Sequence, residues 1–157
     1  RVGWVRANEA CILRLARLKT AMDLGSPLLT QAIAVRLLAH LPEARRIRKQ
    51  QLKTGRDHLA KLLKQHLPGW KFHLPAGGLF LWIEIPNGDS REFAQLAHRH
   101  GVVILPGPTM SAAEGHSNHI RLPFFWEPEI LRTGVLRLAK AWRDYRPAPR
   151  RPGEILI

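Results

Sequence analysis

The chain has 157 residues, with 45% hydrophobic and 24% charged side chains, and its formal net charge is +13. This length and composition exclude a largely disordered chain and suit one globular domain with a buried core. The charge raises the question of a nucleic-acid partner, because basic surfaces attract polyanions.

The first predicted elements are a strand and two helices. Residues 2–6 read as a short strand with no partner strand before it in the sequence, which indicates a fragment of a larger domain. Over 7–25 the apolar residues follow a helical period. They are Cys11, Leu15, Leu18 and Met22. The Ser26–Pro27 pair has the form of a helix start, and the apolar segment 29–41 predicts a second helix wedged between other elements.

A long basic helix and a β-hairpin follow. Pro42 predicts the start of this helix, and Pro68–Gly69 predicts its end. The apolar stripe of the helix consists of Leu52, Leu59, Leu62 and Leu63. The alternating segment 70–74 and the apolar run 79–85, separated by a turn, predict a hairpin.

The basic residues of the long helix can be interpreted in two ways. They are Arg45, Arg46, Arg48, Lys49, Lys53, Arg56, Lys61 and Lys64. A basic nucleic-acid-binding module is one alternative. We favour a solvated helix face, because the run does not interleave with exposed aromatic residues as a single-strand binder requires.

Short helices and strands make up the last third of the chain. Asp89–Glu92 has capping-box spacing and predicts a helix, which Gly101 ends in a left-handed conformation. Strands are predicted at 102–105 and 119–124, and a final helix begins at Glu127.

The order of elements predicts an α+β fold, in which a small mixed, mainly antiparallel sheet carries helices on one face. The first helices then belong to a truncated neighbouring domain. The predicted segments are 1–40, the remnant of that neighbour; 41–145, the small C-terminal domain; and 146–157, a flexible tail rich in proline and arginine.

Arg121 is the first candidate for a functional residue. It lies in an apolar strand, where a guanidinium cannot lose its proton and therefore needs an anionic partner. Its planar fork binds a carboxylate through two parallel hydrogen bonds. An internal salt bridge or an exposed edge position is the structural alternative.

Other kinds of site find little support in the sequence. Histidine, cysteine and acidic residues show no metal-ligand spacing, so we expect no metal site. The lone Cys11 lies on an apolar stripe, which favours a small core residue over a nucleophile, and a single cysteine suits a reducing cytoplasm. Gly77–Gly78 and Pro106–Gly107 are interpreted as turns. No apolar run reaches the roughly 20 residues of a membrane span.

Four segments in series resemble the class I/II, fold type I aminotransferases. They are Arg1–Trp4, Pro75–Trp82, Gly101–Gly107 and Asn118–Leu122. The resemblance extends from Arg1 to about Trp142. The Leu81–Trp82 pair and the 26–38 helix with Gln31 also resemble the MocR-type branch of the GntR regulators, in which a winged-helix DNA-binding domain precedes such a domain.

The resemblance implies roles for two arginines. The arginine in the position of Arg121 holds the α-carboxylate of the amino-acid substrate, and the arginine in the position of Arg1 contacts the phosphate of pyridoxal 5'-phosphate. Residues 1–40 would then be the remnant of the cofactor-binding large domain. The lysine that binds the cofactor has no match in this chain, so we expect no bound cofactor and no catalysis from the chain alone.

Two whole proteins fit this resemblance. One is a transcriptional regulator, whose aminotransferase-like domain binds an amino-acid effector while a missing N-terminal domain binds DNA. The other is a metabolic amino-acid aminotransferase. Both would be cytoplasmic, without a membrane partner, and a homodimer is compatible with either, because the apolar 29–41 helix offers surface for association.

Overall fold

The computed structural model describes residues 2–23 and 25–147. These residues form five α-helices and four strands. The helices are α1 (Glu9–Met22), α2 (Leu28–Leu38), α3 (Leu41–His66), α4 (Ser90–Arg99) and α5 (Pro128–Asp144). The strands are β1 (Lys71–Phe72), β2 (Phe80–Glu84), β3 (Leu105–Pro106) and β4 (His119–Pro123). The chain divides into two compact units between Arg48 and Lys49.

The first unit contains α1 and α2, and neither helix has a buried residue. Three predictions for this part of the chain are wrong. The apolar helix α2 was expected to be wedged between other elements, but its side chains are mostly exposed. Residues 2–6 form no strand, and they take no part in the ladders of the described sheet. Cys11 is exposed instead of being a core residue, since nothing described covers its stripe on α1.

The second unit is built on a four-stranded sheet in the order β1-β2-β4-β3. All three pairings are antiparallel, which confirms the predicted α+β fold and the hairpin of β1 and β2. The strand predicted at 102–105 pairs only from Leu105 onward, so it is shorter than expected and lies later in the chain.

One face of this sheet carries the core. Alternate residues of β2 and β4 point to it, and helices α3, α4 and α5 supply the opposing side chains. The buried strand residues are Leu81, Ile83, Ile120 and Leu122. The helices contribute Leu59, Leu63, Phe93, Val135 and Leu138. The other residues of each strand therefore point to the opposite face.

Helix α4 begins and ends as predicted, and a tyrosine from α5 contacts its first turn. The side chain of Asp89 accepts hydrogen bonds from the backbone N–H groups of Arg91 and Glu92, as expected of an N-cap. Gly101 follows the helix with φ of 76°, the left-handed conformation that glycine adopts without strain. The Tyr145 hydroxyl, at the end of α5, accepts from the Asp89 N–H and donates to Glu92.

Residues 148–157 lie outside the described residues, and so does most of the predicted tail. None of the helices in the described ranges has the length and apolarity of a transmembrane span.

Candidate functional site

Arg121 occupies an interior position of the sheet. It lies opposite Trp82 of β2 on one side and Leu105 of β3 on the other, so β4 is not an edge strand. Because its neighbours Ile120 and Leu122 are buried in the core, its own side chain lies on the face of the sheet opposite the core.

The surroundings of the Arg121 guanidinium are aromatic. Its Cζ lies 4.1 Å from the centroid of the Phe80 ring, and the side chain as a whole is half-buried. Its Nε is buried and has no hydrogen-bond partner among the described residues. Within the same part of the chain no carboxylate forms an ion pair with it. Neither structural alternative, the internal salt bridge or the edge position, is found there.

An unpaired buried N–H is costly, because the group has lost its water without gaining a protein acceptor. Such a donor on a permanently charged side chain suits an external anion. The planar fork of Arg121 matches a carboxylate, which can accept two parallel hydrogen bonds. The unpaired guanidinium is therefore chemically able to bind an anion such as a carboxylate.

An aromatic cluster continues along the same face of the sheet. The His119 ring stacks on Trp82 at 5.2 Å between centroids with an interplanar angle of 20°. The ring of His116 stands edge-on to both, at 5.5 Å from Trp82 and 5.2 Å from His119. Asn118 contacts the Nδ1 of His119 through its Oδ1 at 2.8 Å and donates to Glu84 at 3.3 Å.

Burial lowers the pKa of His119 below its ordinary value, and the nearby charge of His116 lowers it further, while Glu84 acts in the opposite direction. Desolvation disfavours the charged imidazolium, so the folded protein favours neutral His119. Neutral His119 and Trp82 therefore form an uncharged stacked pair on the face of the sheet that carries Arg121.

The loop that carries His116 packs closely against the backbone of Gly107. A Cβ on Gly107 would collide with the carbonyl oxygen of His116 and would lie 3.0 Å from that of His119. Glycine is therefore required at this position for close backbone packing. By contrast, a Cβ on Gly77 or Gly78 would meet no described atom within 4 Å, and Gly78 has φ of 90°, which agrees with a simple turn.

Phe80, Trp82 and His119 were not singled out by sequence reasoning. The spacing of these residues could have indicated a shared face. Phe80 and Trp82 are two residues apart on one strand, His119 and Arg121 are two apart on another, and strand side chains alternate between faces. What the sequence lacked was the register of β2 against β4, which places Trp82 opposite Arg121.

Arg1, the second predicted site residue, lies outside the described residues. In the first unit, Val2, Gly3 and Trp4 line a cavity of about 320 Å³ together with Ser26 and Gln31. Gln31 donates its side-chain amide to the carbonyl of Ser26 at 3.2 Å. Gly3 leaves open space where a side chain would stand.

The other predictions for sites concern metals and the basic helix. Among the described residues, no group of three or more His, Cys, Asp or Glu side chains could hold a metal ion. On α3, Arg46 pairs with Glu43, and Arg56 pairs with Asp57 and donates to the carbonyl of Pro75. The nucleic-acid alternative predicts duplex binding with a steep salt dependence, and an absence of binding at low salt would remove it.

Comparisons with known proteins agree on one family. The family model for aminotransferase class I and II matches residues 1–132. The chain is 31% identical over 153 residues to aromatic-amino-acid aminotransferase 1 of Thermococcus litoralis, covering 92% of this chain and 36% of that protein. It is also 31% identical over 143 residues to the HTH-type transcriptional regulator YdfD of Bacillus subtilis, covering 88% of this chain and 29% of the regulator.

Solved structures give the same result. An archaeal alanine:glyoxylate aminotransferase superposes with a TM-score of 0.79 at 31% identity, covering 92% of this chain and 37% of that one. The α-aminoadipate aminotransferase LysN of Thermus thermophilus, solved with N-(5'-phosphopyridoxyl)-L-leucine, gives a TM-score of 0.78 at 27% identity, covering 88% and 36%. The chain thus spans about a third of the length of the relatives that it matches.

Proposed function

Because the chain belongs to the aminotransferase class I and II family, we propose that it forms the C-terminal part of a pyridoxal-phosphate-dependent aminotransferase-like domain and that Arg121 binds the α-carboxylate of an amino acid. The half-buried guanidinium of Arg121, which has no ion-pair partner among the described residues, carries this proposal. A cation in that state is stabilised when a ligand supplies the missing acceptor.

The residues of this chain act on the substrate side of the site. Arg121 holds the carboxylate by its fork and so orients the bonds at Cα. Interactions of this kind lower the barrier by positioning, because the reacting groups no longer search for the productive geometry. Pyridoxal phosphate, when bound, supplies an electron sink for bond cleavage at Cα.

The contact with the cofactor phosphate is assigned to Arg1. A guanidinium suits a phosphate because its forked N–H groups match two phosphate oxygens and the charges are opposite. This assignment rests on the family resemblance, as Arg1 lies outside the described residues. The domain boundaries 1–40, 41–145 and 146–157 are part of the same proposal, with the first segment belonging to the cofactor-binding large domain.

The whole protein is proposed to be a transcriptional regulator of the GntR and MocR type, which binds DNA through an N-terminal domain and uses amino-acid binding to shift between conformations. The similarity to YdfD, named as an HTH-type regulator, supports this choice. The similarity to an aromatic-amino-acid aminotransferase at the same identity supports a metabolic enzyme as the alternative. A winged helix in the sequence preceding Arg1 would select the regulator.

The proposal extends to assembly and location. Apolar side chains of α2 such as Leu28, Leu29 and Val35 are exposed, and burying them would stabilise a homodimer of the whole protein. The single thiol of the chain suits the reducing cytoplasm. Sedimentation of the whole protein tests the homodimer.

The carboxylate role is tested with Arg121→Ala and Arg121→Lys in the whole protein. Arg121→Ala should weaken amino-acid binding by about 10- to 200-fold, since a charged hydrogen bond contributes about 1.5–3 kcal/mol. Arg121→Lys should recover part of the loss, as it restores the charge without the fork. Cofactor absorbance should be unchanged in both variants. An unchanged amino-acid affinity would rule out this role for Arg121.

A further inference from the structure

We propose that Phe80 is a positioning residue, which holds the Arg121 guanidinium in place for carboxylate binding without occupying its hydrogen-bond donors. This inference rests on the carboxylate role proposed above. It concerns how the arginine is prepared for its ligand.

The contact between the two residues is direct. The guanidinium carbon of Arg121 lies 4.1 Å from the centroid of the Phe80 ring, within the range of a cation–π interaction. Phe80 lies opposite Pro123 in the β2–β4 ladder, two residues along β4 from Arg121, so both side chains point to the same face.

The Phe80 ring is itself fixed. Phe125 meets it edge-on, with centroids 5.9 Å apart and an interplanar angle of 87°. This T-shaped arrangement is favourable for aromatic pairs. Phe80 is half-buried at the first position of β2, where its backbone pairs with Pro123 of β4. The ring therefore forms a rigid support.

The chemistry of the support matters for the ligand. A carboxylate neighbour would neutralise the guanidinium and occupy two of its N–H groups, whereas an aromatic face attracts the cation through its quadrupole and leaves the N–H groups at the guanidinium edge available. No carboxylate pairs with Arg121 in the described part of the chain. Phe80 thus restricts the arginine's rotamers while its charge and donors remain for the substrate.

The test compares Phe80→Leu and Phe80→Tyr with a control, Phe72→Leu, in the whole protein. Phe72 lies on β1 of the same sheet, and its partly buried side chain packs against the core. Because the core is on the face opposite Arg121, Phe72→Leu makes the same substitution away from the guanidinium. The probes are the proteinogenic amino acid that binds best in a screen of all twenty, and the amine produced by its decarboxylation.

Phe80→Leu should weaken binding of the amino acid by about 3- to 20-fold, the range of a partly desolvated cation–π contact. The affinity for the amine should be unchanged. Phe80→Tyr should retain the affinity, because it keeps the ring. Phe72→Leu should not change the ratio of the two affinities. On an Arg121→Ala background, Phe80→Leu should have no further effect on the amino acid, since Phe80 acts through the arginine.

Equal losses for the amino acid and the amine, or no loss for either, would overturn the role of Phe80. If Arg121→Ala lowers the affinity for the amino acid while Phe80→Leu does not, only this inference fails. If Arg121→Ala has no effect, the proposed function fails first.

Discussion

Gly55 of α3 packs against the backbone carbonyl of Phe124, the residue that follows β4. A Cβ at Gly55 would collide with the Phe124 oxygen and lie 3.3 Å from its carbonyl carbon. The absence of a side chain therefore lets the helix approach the end of the strand that carries Arg121. This contact links a helix of the core to the geometry of the candidate site.

Gly55→Ala is therefore expected to destabilise the fold. Backbone must move to accommodate the methyl group, which costs about 1–3 kcal/mol in a packed interior. Gly134→Ala is the matched control, because Gly134 is also within a helix, α5, but a Cβ there would meet no described atom within 4 Å. That variant should gain about 0.5–1 kcal/mol from helix propensity. Urea unfolding of both variants measures the difference, and equal effects would contradict the close approach.

The N-cap of α4 gives a second prediction. Asp89→Ala removes the acceptor for the N–H groups of Arg91 and Glu92, at 2.8 and 3.2 Å, and should cost about 0.5–2 kcal/mol of unfolding free energy. Asp89→Asn keeps a side-chain oxygen and should retain most of that stability. Chemical denaturation compares them, and a full loss in Asp89→Asn would show that charge, not the cap, dominates.

Acidification should destabilise the protein through His119. Its pKa in the folded state is lowered from the ordinary 6.5, chiefly by burial and next by His116, against the opposing effect of Glu84. A lowered pKa means that the unfolded chain takes up the proton first, so the stabilisation is present above 6.5 and is lost as the pH falls through the folded-state pKa.

Replacing His119 with glutamine isolates this contribution from the other histidines. The difference in unfolding free energy between about pH 7.5 and about pH 5 should be smaller in His119→Gln than in the unchanged protein. Urea unfolding at the two pH values is the measurement. Identical pH dependence in the two proteins would show that His119 does not favour its neutral form on folding.

Adding pyridoxal phosphate to this 157-residue chain should give no stoichiometric, site-specific absorbance band. Every lysine of the chain is exposed, and Lys19 is paired with Asp23 at 2.7 Å. The family resemblance assigns the cofactor to none of these lysines. Borohydride reduction followed by peptide mass spectrometry checks the result, and labelling of a single lysine to completion would show that a cofactor lysine is present.

Local sequence signals predicted the second unit well. The capping box at Asp89, the left-handed glycine at Gly101 and the hairpin of β1 and β2 are all present. Each depends on residues close together in the chain, whose preferences act before any tertiary contact forms. The family also followed from segments whose order and spacing the sequence preserves.

Predictions failed where the outcome depended on a second element of structure, such as a neighbouring strand or a packing surface. The sequence of residues 2–6 suits a strand, but a strand needs a neighbour for its hydrogen bonds, and none of the described strands pairs with these residues. The apolar stripe that contains Cys11 suits a core helix, but burial requires a second surface to pack against it, and Cys11 is exposed. Neither requirement can be read from the segment itself.

The sequence by itself determined the family and the order of the elements from α1 onward, and it made Arg121 a candidate for binding an anion, because motifs and periodicity are properties of the chain. Only the tertiary structure decided what surrounds that arginine: the Phe80 ring beneath it, Trp82 opposite it, and no carboxylate paired with it among the described residues. Those neighbours come from strands some forty residues apart in the chain, and their register is set by the packing of all the core side chains together.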